Sequence, residues 1–235
     1  MLKLPEELVT AAPSPLHVPD GFMSLPVIGL TTAITVAVLA VAVWRSNRGL
    51  NERLVPLMGV MAAFIFAAQM LNFPVVGGTS GHFVGGALAA ALLGLWPAVL
   101  VMTCVVALQA ILFQDGGLVV LGINVFNMGV VSVLAGWLIY TSFLRTVGVW
   151  RWGVLAGGFV AAWVSVVLSA LACAVELALS GTSPFQVAVP AMVGVHTLIG
   201  LGEGLITGGA LALVMATHRD LLHLRPIRAG GGGQS

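Results

Sequence analysis

The sequence predicts an all-α membrane protein, a seven-transmembrane-helix bundle with its N-terminus outside and its C-terminus in the cytoplasm. Three observations carry that expectation: the composition, the length of the apolar runs and the placement of the arginines. Of 235 residues, 59% are hydrophobic and 7% charged, against about 25% charged in a soluble domain. The mean hydropathy is +1.10. A net charge of +1 offers no electrostatic footprint for nucleic acid. Cys104 and Cys173 lie singly in apolar runs, so they read as packing residues rather than a disulfide or thiolate site.

The stretch 1–15, "MLKLPEELVTAAPSP", lacks the continuous apolar core of a signal peptide and reads as a polar, proline-broken extension. The transmembrane domain is then 16–217, followed by a cytoplasmic tail, 218–235. A span needs about 20 apolar residues to cross about 30 Å of hydrocarbon. Runs at 25–44, 54–71, 118–143, 153–179 and 187–216 fit that length. The run 83–113 is broken by "GLWP" at 94–97. A proline there removes a hydrogen bond and crowds the preceding turn, so the run is one kinked helix or two short ones.

The charges favour two. With seven spans, Arg45, Arg48, Arg53, Arg145, Arg151, Arg219, Arg225 and Arg228 all fall inside and only Lys3 outside. That agrees with the positive-inside rule. The half 83–95 is short, and a tilted or partly re-entrant element there must be buried in protein or face a cavity. The outer face then carries the segment through Phe22, the 72–82 loop, the turn at Asp115 and the 180–186 turn.

Inside the spans, Glu176, Glu203 and His196 are the ionisable groups, beside Gln69, Asn72, Gln109, Asn124 and Asn127. Intramembrane charges tend to mark function. His196 and Glu203 lie two helical turns apart and share a face. They are either an interior hydrogen-bonded pair or support for an ion path. Glu176, near an outer helix end, is expected to reach the interface. His218 and His223, beside arginines, read as solvated tail. Gly-rich runs such as "GGALAAALLG" allow close helix approach.

Several chemistries are excluded. Lys3 is the only lysine, so no P-loop lysine exists and the chain has no ATPase motif of its own. No HExxH or GxSxG motif occurs. The chain reads as a transporter component rather than an enzyme, and it moves cargo on borrowed ATP hydrolysis or on an ion gradient. Imidazole suits nickel, cobalt, copper and zinc. His17 and His82, on the two longest outer segments beside glycines, are either interfacial polar residues or metal ligands.

The stretches "HVPDGFMS" (17–24), "PLMGVMAAFIFAAQMLNFPVVGGTSGHFVGGALAA" (56–90), "FQDGGLVVLGINVFNMGV" (113–130) and "HTLIGLGEGLITG" (196–208) resemble the CbiM/NikM family. That family supplies the membrane substrate-capture subunit of energy-coupling-factor transporters for cobalt and nickel. The resemblance implies a seven-helix bundle in the cytoplasmic membrane of a prokaryote. It implies partners: a transmembrane coupling subunit, two cytoplasmic ATPases and, in some systems, a small accessory membrane subunit. It implies no permanently bound cofactor, only transported Ni2+ or Co2+.

It also implies a ligand set. Family members begin Met-His, and the ion is held by the terminal amine, the deprotonated amide of residue two, its imidazole, and a second histidine of the Gly-Thr-Ser-Gly-His motif. His17 and His82 match the two histidines. Leu16 stands in the place of the terminal residue, so either a start at Leu16 or cleavage after Pro15 supplies a free amine there, or the site is altered or lost. Asp20 is expected to stabilise a turn or to orient His17. Asn72, Thr79, Ser80 and Gly81 are expected to hold His82, with His196 and Glu203 in support. The alternative function is a stand-alone gradient-driven carrier or channel, with His196 and Glu203 as a proton relay.

Overall fold

Pro26 sits in the first turn of the first helix, where its missing N–H costs nothing, and Arg45 sits in the last, where a cation complements the carbonyl end. That helix is α1 (Leu25–Asn47), and in this computed structural model it opens a succession of eight α-helices, one π-helical segment and one β-hairpin among the described residues. The structure describes residues 17–49, 54–70, 72–75 and 79–217, with backbone alone for 72–75 and 79–81. The extension 1–15, Leu16 and the tail 218–235 therefore lie outside the described residues.

After α2 (Leu54–Gln69), the loop expected at 72–82 pairs as an antiparallel hairpin, β1 (Asn72–Val75) with β2 (Thr79–His82). Its register sets Asn72 opposite His82 and Pro74 opposite Ser80. Then come α3 (Gly86–Leu93) and α4 (Leu95–Phe113). The break between them falls at Gly94, whose φ of 77° is open to glycine and strained for other residues. Pro97 is not the breaker. It sits in the first turn of α4, where proline is tolerated.

The run 83–113 is thus two helices. With eight residues, α3 rises about 12 Å, well short of the bilayer core. All eight of its residues are buried, which is the protected environment that a non-spanning element needs. It packs against α2, α4, α6, α7 and α8, so the Ala- and Gly-rich run forms the centre of the bundle.

Next, α5 (Leu121–Val125), a π-helical segment (Phe126–Val131) and α6 (Ser132–Val147) run on as one rod. The helices α7 (Arg151–Leu179) and α8 (Phe185–Thr217) pack along each other. Five of these rods are long and apolar enough to cross a membrane, while α2 is a shorter apolar helix. The boundaries follow the apolar runs closely, and the rod predicted at 118–143 is shifted to 121–147. The bundle has two distinct ends. One gathers His17, Asp115 and the start of α5; the other gathers the ends of α1 and α6 and the start of α4.

Candidate metal centre

His17 reaches the bundle on a non-helical segment that α5 and the loop before it hold in place. Val18 N–H donates to Asn124 Oδ1 at 3.2 Å, and Asn124 Nδ2 donates back to Val18 O at 3.0 Å. Gly117 N–H also donates to Val18 O, at 3.0 Å. Two residues on, Asp20 Oδ1 accepts the N–H groups of Val119 and Val120 at 2.9 and 3.2 Å. A carboxylate suits the N–H end of the following helix. Gly117 is required for this approach, since a Cβ there would lie 2.0 Å from Asp20 Oδ1. Thr182 Oγ1 donates to Phe22 O and ties the segment to the α7–α8 turn.

Asp115 faces His17 directly. Its Oδ1 accepts the His17 amide N–H at 3.3 Å, and its Oδ2 lies 3.4 Å from His17 Nδ1. The same Nδ1 lies 3.2 Å from the Asp115 carbonyl oxygen. A carbonyl can only accept, so Nδ1 carries a proton, and in the neutral ring Nε2 is the lone-pair atom. That Nε2 is buried and has no hydrogen-bond partner.

His82 ends β2 and is steered in the same way. Its Nδ1 lies 2.9 Å from Phe83 O, which again leaves Nε2 as the free donor atom. The backbone beyond it is clamped from two helices. Val84 N–H donates to Glu203 Oε2 at 2.7 Å and Gly85 N–H to Glu203 Oε1 at 2.8 Å. From α2, Gln69 Nε2 donates to Val84 O at 2.7 Å. Glu203, on α8, therefore anchors the entry to α3, taking the N–H of its N-cap Gly85 and that of Val84 just before it.

The two imidazoles meet. Their ring centroids are 5.0 Å apart with planes at 69°. His82 is on the hairpin, outside the helical spans, and desolvation lowers its pKa to about 4, helped by the neighbouring His17 and His196. The Phe83 carbonyl and Asp115 pull the other way and lose. His82 is thus a neutral imidazole at physiological pH, the form that can bind a metal.

His196 is close enough to repel charge on His82, and its own Nδ1 bonds Met192 O at 2.8 Å, one turn back on α8. It does not pair with Glu203, whose two oxygens both serve the α3 backbone. Asp20 touches the loop before α5 rather than the His17 ring. Asn72, Thr79, Ser80 and Gly81 lie in the hairpin that carries His82. Glu176 does not reach the interface: it is 5% exposed and accepts from Asn127 Nδ2 at 2.6 Å, with Ser169 bonded to the Asn127 carbonyl.

Asp115, Asn124 and Gln69 are positioning residues; the sequence marked them only as an outer turn and as polar groups in apolar runs, with no tie to either histidine. Asp115 stood in view inside "FQDGG", but nothing local joins it to a histidine 98 residues away. Among the described residues, no three His, Cys, Asp or Glu side chains are grouped to hold a metal. Two imidazoles alone do not make such a group, and an ion held between them would take further donors from backbone, terminus or water.

Residues 17–221 match the family model described as CbiM, cobalt uptake substrate-specific transmembrane region. The chain is 34% identical over 223 residues to the fused nickel transport protein NikMN of Rhodobacter capsulatus, covering 88% of this chain and 64% of that protein. It is 32% identical over 224 residues to the cobalt transport protein CbiM of Sorangium cellulosum, covering 92% and 99%. A crystal structure of a truncated transition metal transporter superposes with a TM-score of 0.78 at 33% identity, covering 86% of this chain and 99% of that one.

Proposed function

The chain belongs to the CbiM family of cobalt uptake substrate-specific transmembrane regions, and from that premise we propose that it is the ion-capturing subunit of an energy-coupling-factor importer for Ni2+ or Co2+. It is an integral membrane component of metal uptake. The finer reading places it in the cytoplasmic membrane of a prokaryote, with seven membrane-embedded segments, its N-terminus outside and its C-terminus inside. The ion enters at the His17–His82 end. A transmembrane coupling subunit and two cytoplasmic ATPases, with or without a small accessory membrane subunit, drive its release inward.

One observation carries this reading. Two imidazoles from distant segments meet at 5.0 Å, each with its Nδ1 turned to a carbonyl and its Nε2 left as a lone-pair donor. Nitrogen donors suit Ni2+ and Co2+. The His17 amide is a third candidate, in a chelate that closes through His17 Nδ1 rather than Nε2, so the ring leaves the Asp115 carbonyl when the amide coordinates. It must lose its proton to coordinate, and Asp115 Oδ1 at 3.3 Å is a base within reach of that proton. A free amine at Leu16 would complete a four-nitrogen set. Glu203, Gln69 and Asn124 do not touch the ion in this account. They hold the two backbones that deliver the rings, which is how neighbouring residues tune a metal site.

The stand-alone carrier reading needs Glu203 free to exchange protons with His196. Both Glu203 oxygens are bonded to the Val84 and Gly85 amides instead, which counts against that relay. Uptake of radioactive Ni2+ and Co2+ into cells tests the assignment. Uptake should require the ATPase partners. Uptake that persists without them would leave a gradient-driven carrier in its place.

A further inference from the structure

At the end of the bundle away from the histidines, a cavity of about 760 Å³ opens between α1, α3, α4 and α6. That is within the size range of small-ligand sites, about 300–1,000 Å³. Among the described residues its lining includes Arg45 and Arg145 and no carboxylate. Like charges that share a cleft without a counter-ion repel each other. Arg45 stacks on Trp44 with 4.9 Å from its guanidinium carbon to the ring, which leaves its N–H fork available.

The start of α4 opens into the same space and has no side-chain cap, so the N–H groups of Leu95 and Trp96 add a positive end. The carbonyl ends of α1, α3 and α6 reach the same end and offset that field, so the two guanidinium groups set the sign. Two hydroxyls in the wall, Ser46 Oγ and Tyr140 Oη, are buried with no hydrogen-bond partner. Trp96 and Trp137 make much of the remaining wall apolar.

Cations, a helix N-terminus and unpartnered hydroxyls describe a receptor for a phosphate-type anion. Apolar walls at the end of a membrane bundle describe a place for the glycerol and upper acyl chain attached to it. We propose that this cavity binds the headgroup of an anionic phospholipid. Basic pockets between membrane helices take such headgroups elsewhere.

The test uses the full chain purified in non-ionic detergent. It is offered equal amounts of phosphatidylglycerol and phosphatidylcholine, and native mass spectrometry counts the lipid retained. Two arginines predict a preference for phosphatidylglycerol of roughly tenfold or more. R45Q/R145Q should bring the two lipids to parity, while R48Q/R151Q should keep the preference. Parity in the wild type, or a preference that survives R45Q/R145Q, overturns the proposal. So does loss of the preference in millimolar inorganic phosphate, which would mark a site for the free anion. An acidic polypeptide that co-purifies in place of lipid, and is lost in R45Q/R145Q, overturns it as well.

A second readout needs no arginine variant. Phosphatidylglycerol with brominated acyl chains should quench tryptophan fluorescence, and W96F/W137F should lose most of that quenching. Equal quenching by brominated phosphatidylcholine would contradict the proposal.

Discussion

Glu203 on α8 accepts the amide proton of Val84 at 2.7 Å, two residues past the histidine that ends β2. With Gly85 on its other oxygen, this carboxylate fixes where the hairpin turns into α3 and hence where the His82 ring points. Glu203→Ala leaves two buried N–H groups unpaired, each costing about 1–3 kcal/mol. Thermal unfolding in detergent should shift down, and ion affinity should fall with it. Glu203→Gln keeps one acceptor and should lie between. A Glu203→Ala protein of unchanged affinity would show that His82 needs no such clamp.

Asp115 holds His17 through three contacts, two of them from its side chain. Asp115→Asn leaves the carbonyl contact to His17 Nδ1 and removes the negative charge. Changes to groups that orient a ligand typically cost about 10–100-fold in metal affinity. Calorimetric titration with Ni2+ should show a loss of that size with folding intact. No loss would confine Asp115 to a turn.

Gly117 allows Asp20 to approach the loop before α5. Gly117→Ala places a methyl group where the carboxylate now sits and should displace Asp20 from Val119 and Val120. Asp20→Ala loses those bonds without the clash, at about 0.5–2 kcal/mol for a helix-capping group. Gly117→Ala should therefore destabilise more than Asp20→Ala in chemical unfolding. The reverse order would mean that the loop yields freely.

The His82 pKa of about 4 makes a pH prediction. In the unfolded chain the ring titrates near 6.5. As pH falls from 6.5 toward 4, the unfolded state takes up a proton that the folded state refuses, so stability falls over that window. Unfolding of the metal-free protein should become easier between pH 6.5 and 4, and His82→Gln should remove part of that slope. An NMR titration should find the His82 ring neutral at pH 6. A His82 midpoint near 6.5 would show that the ring is solvated.

Much of the fold was legible because lipid imposes a simple length rule. The apolar runs marked each long helix to within a few residues, and the weak point at 94–97 was visible. The responsible residue was not. Proline is the familiar breaker, yet Pro97 fits the first turn of α4 and the positive φ belongs to Gly94. His17 and His82 stood out as imidazoles beside glycines, and family likeness joined them. Their holders were not legible. The partners of Glu203 are backbone N–H groups 119 and 118 residues away, and backbone donors carry no sequence label. Asp115 and Asn124 reach His17 and Val18 across 98 and 106 residues, which only the packed bundle makes short.

The central claim is that His17 and His82 donate to one divalent ion. Equilibrium dialysis of the purified chain against Ni2+ and Co2+, with the N-terminus defined by mass spectrometry, tests it most directly. The account predicts one ion per chain for the wild type, and loss of that ion in both His17→Ala and His82→Ala while each remains folded. Full stoichiometry and affinity in either variant would contradict it.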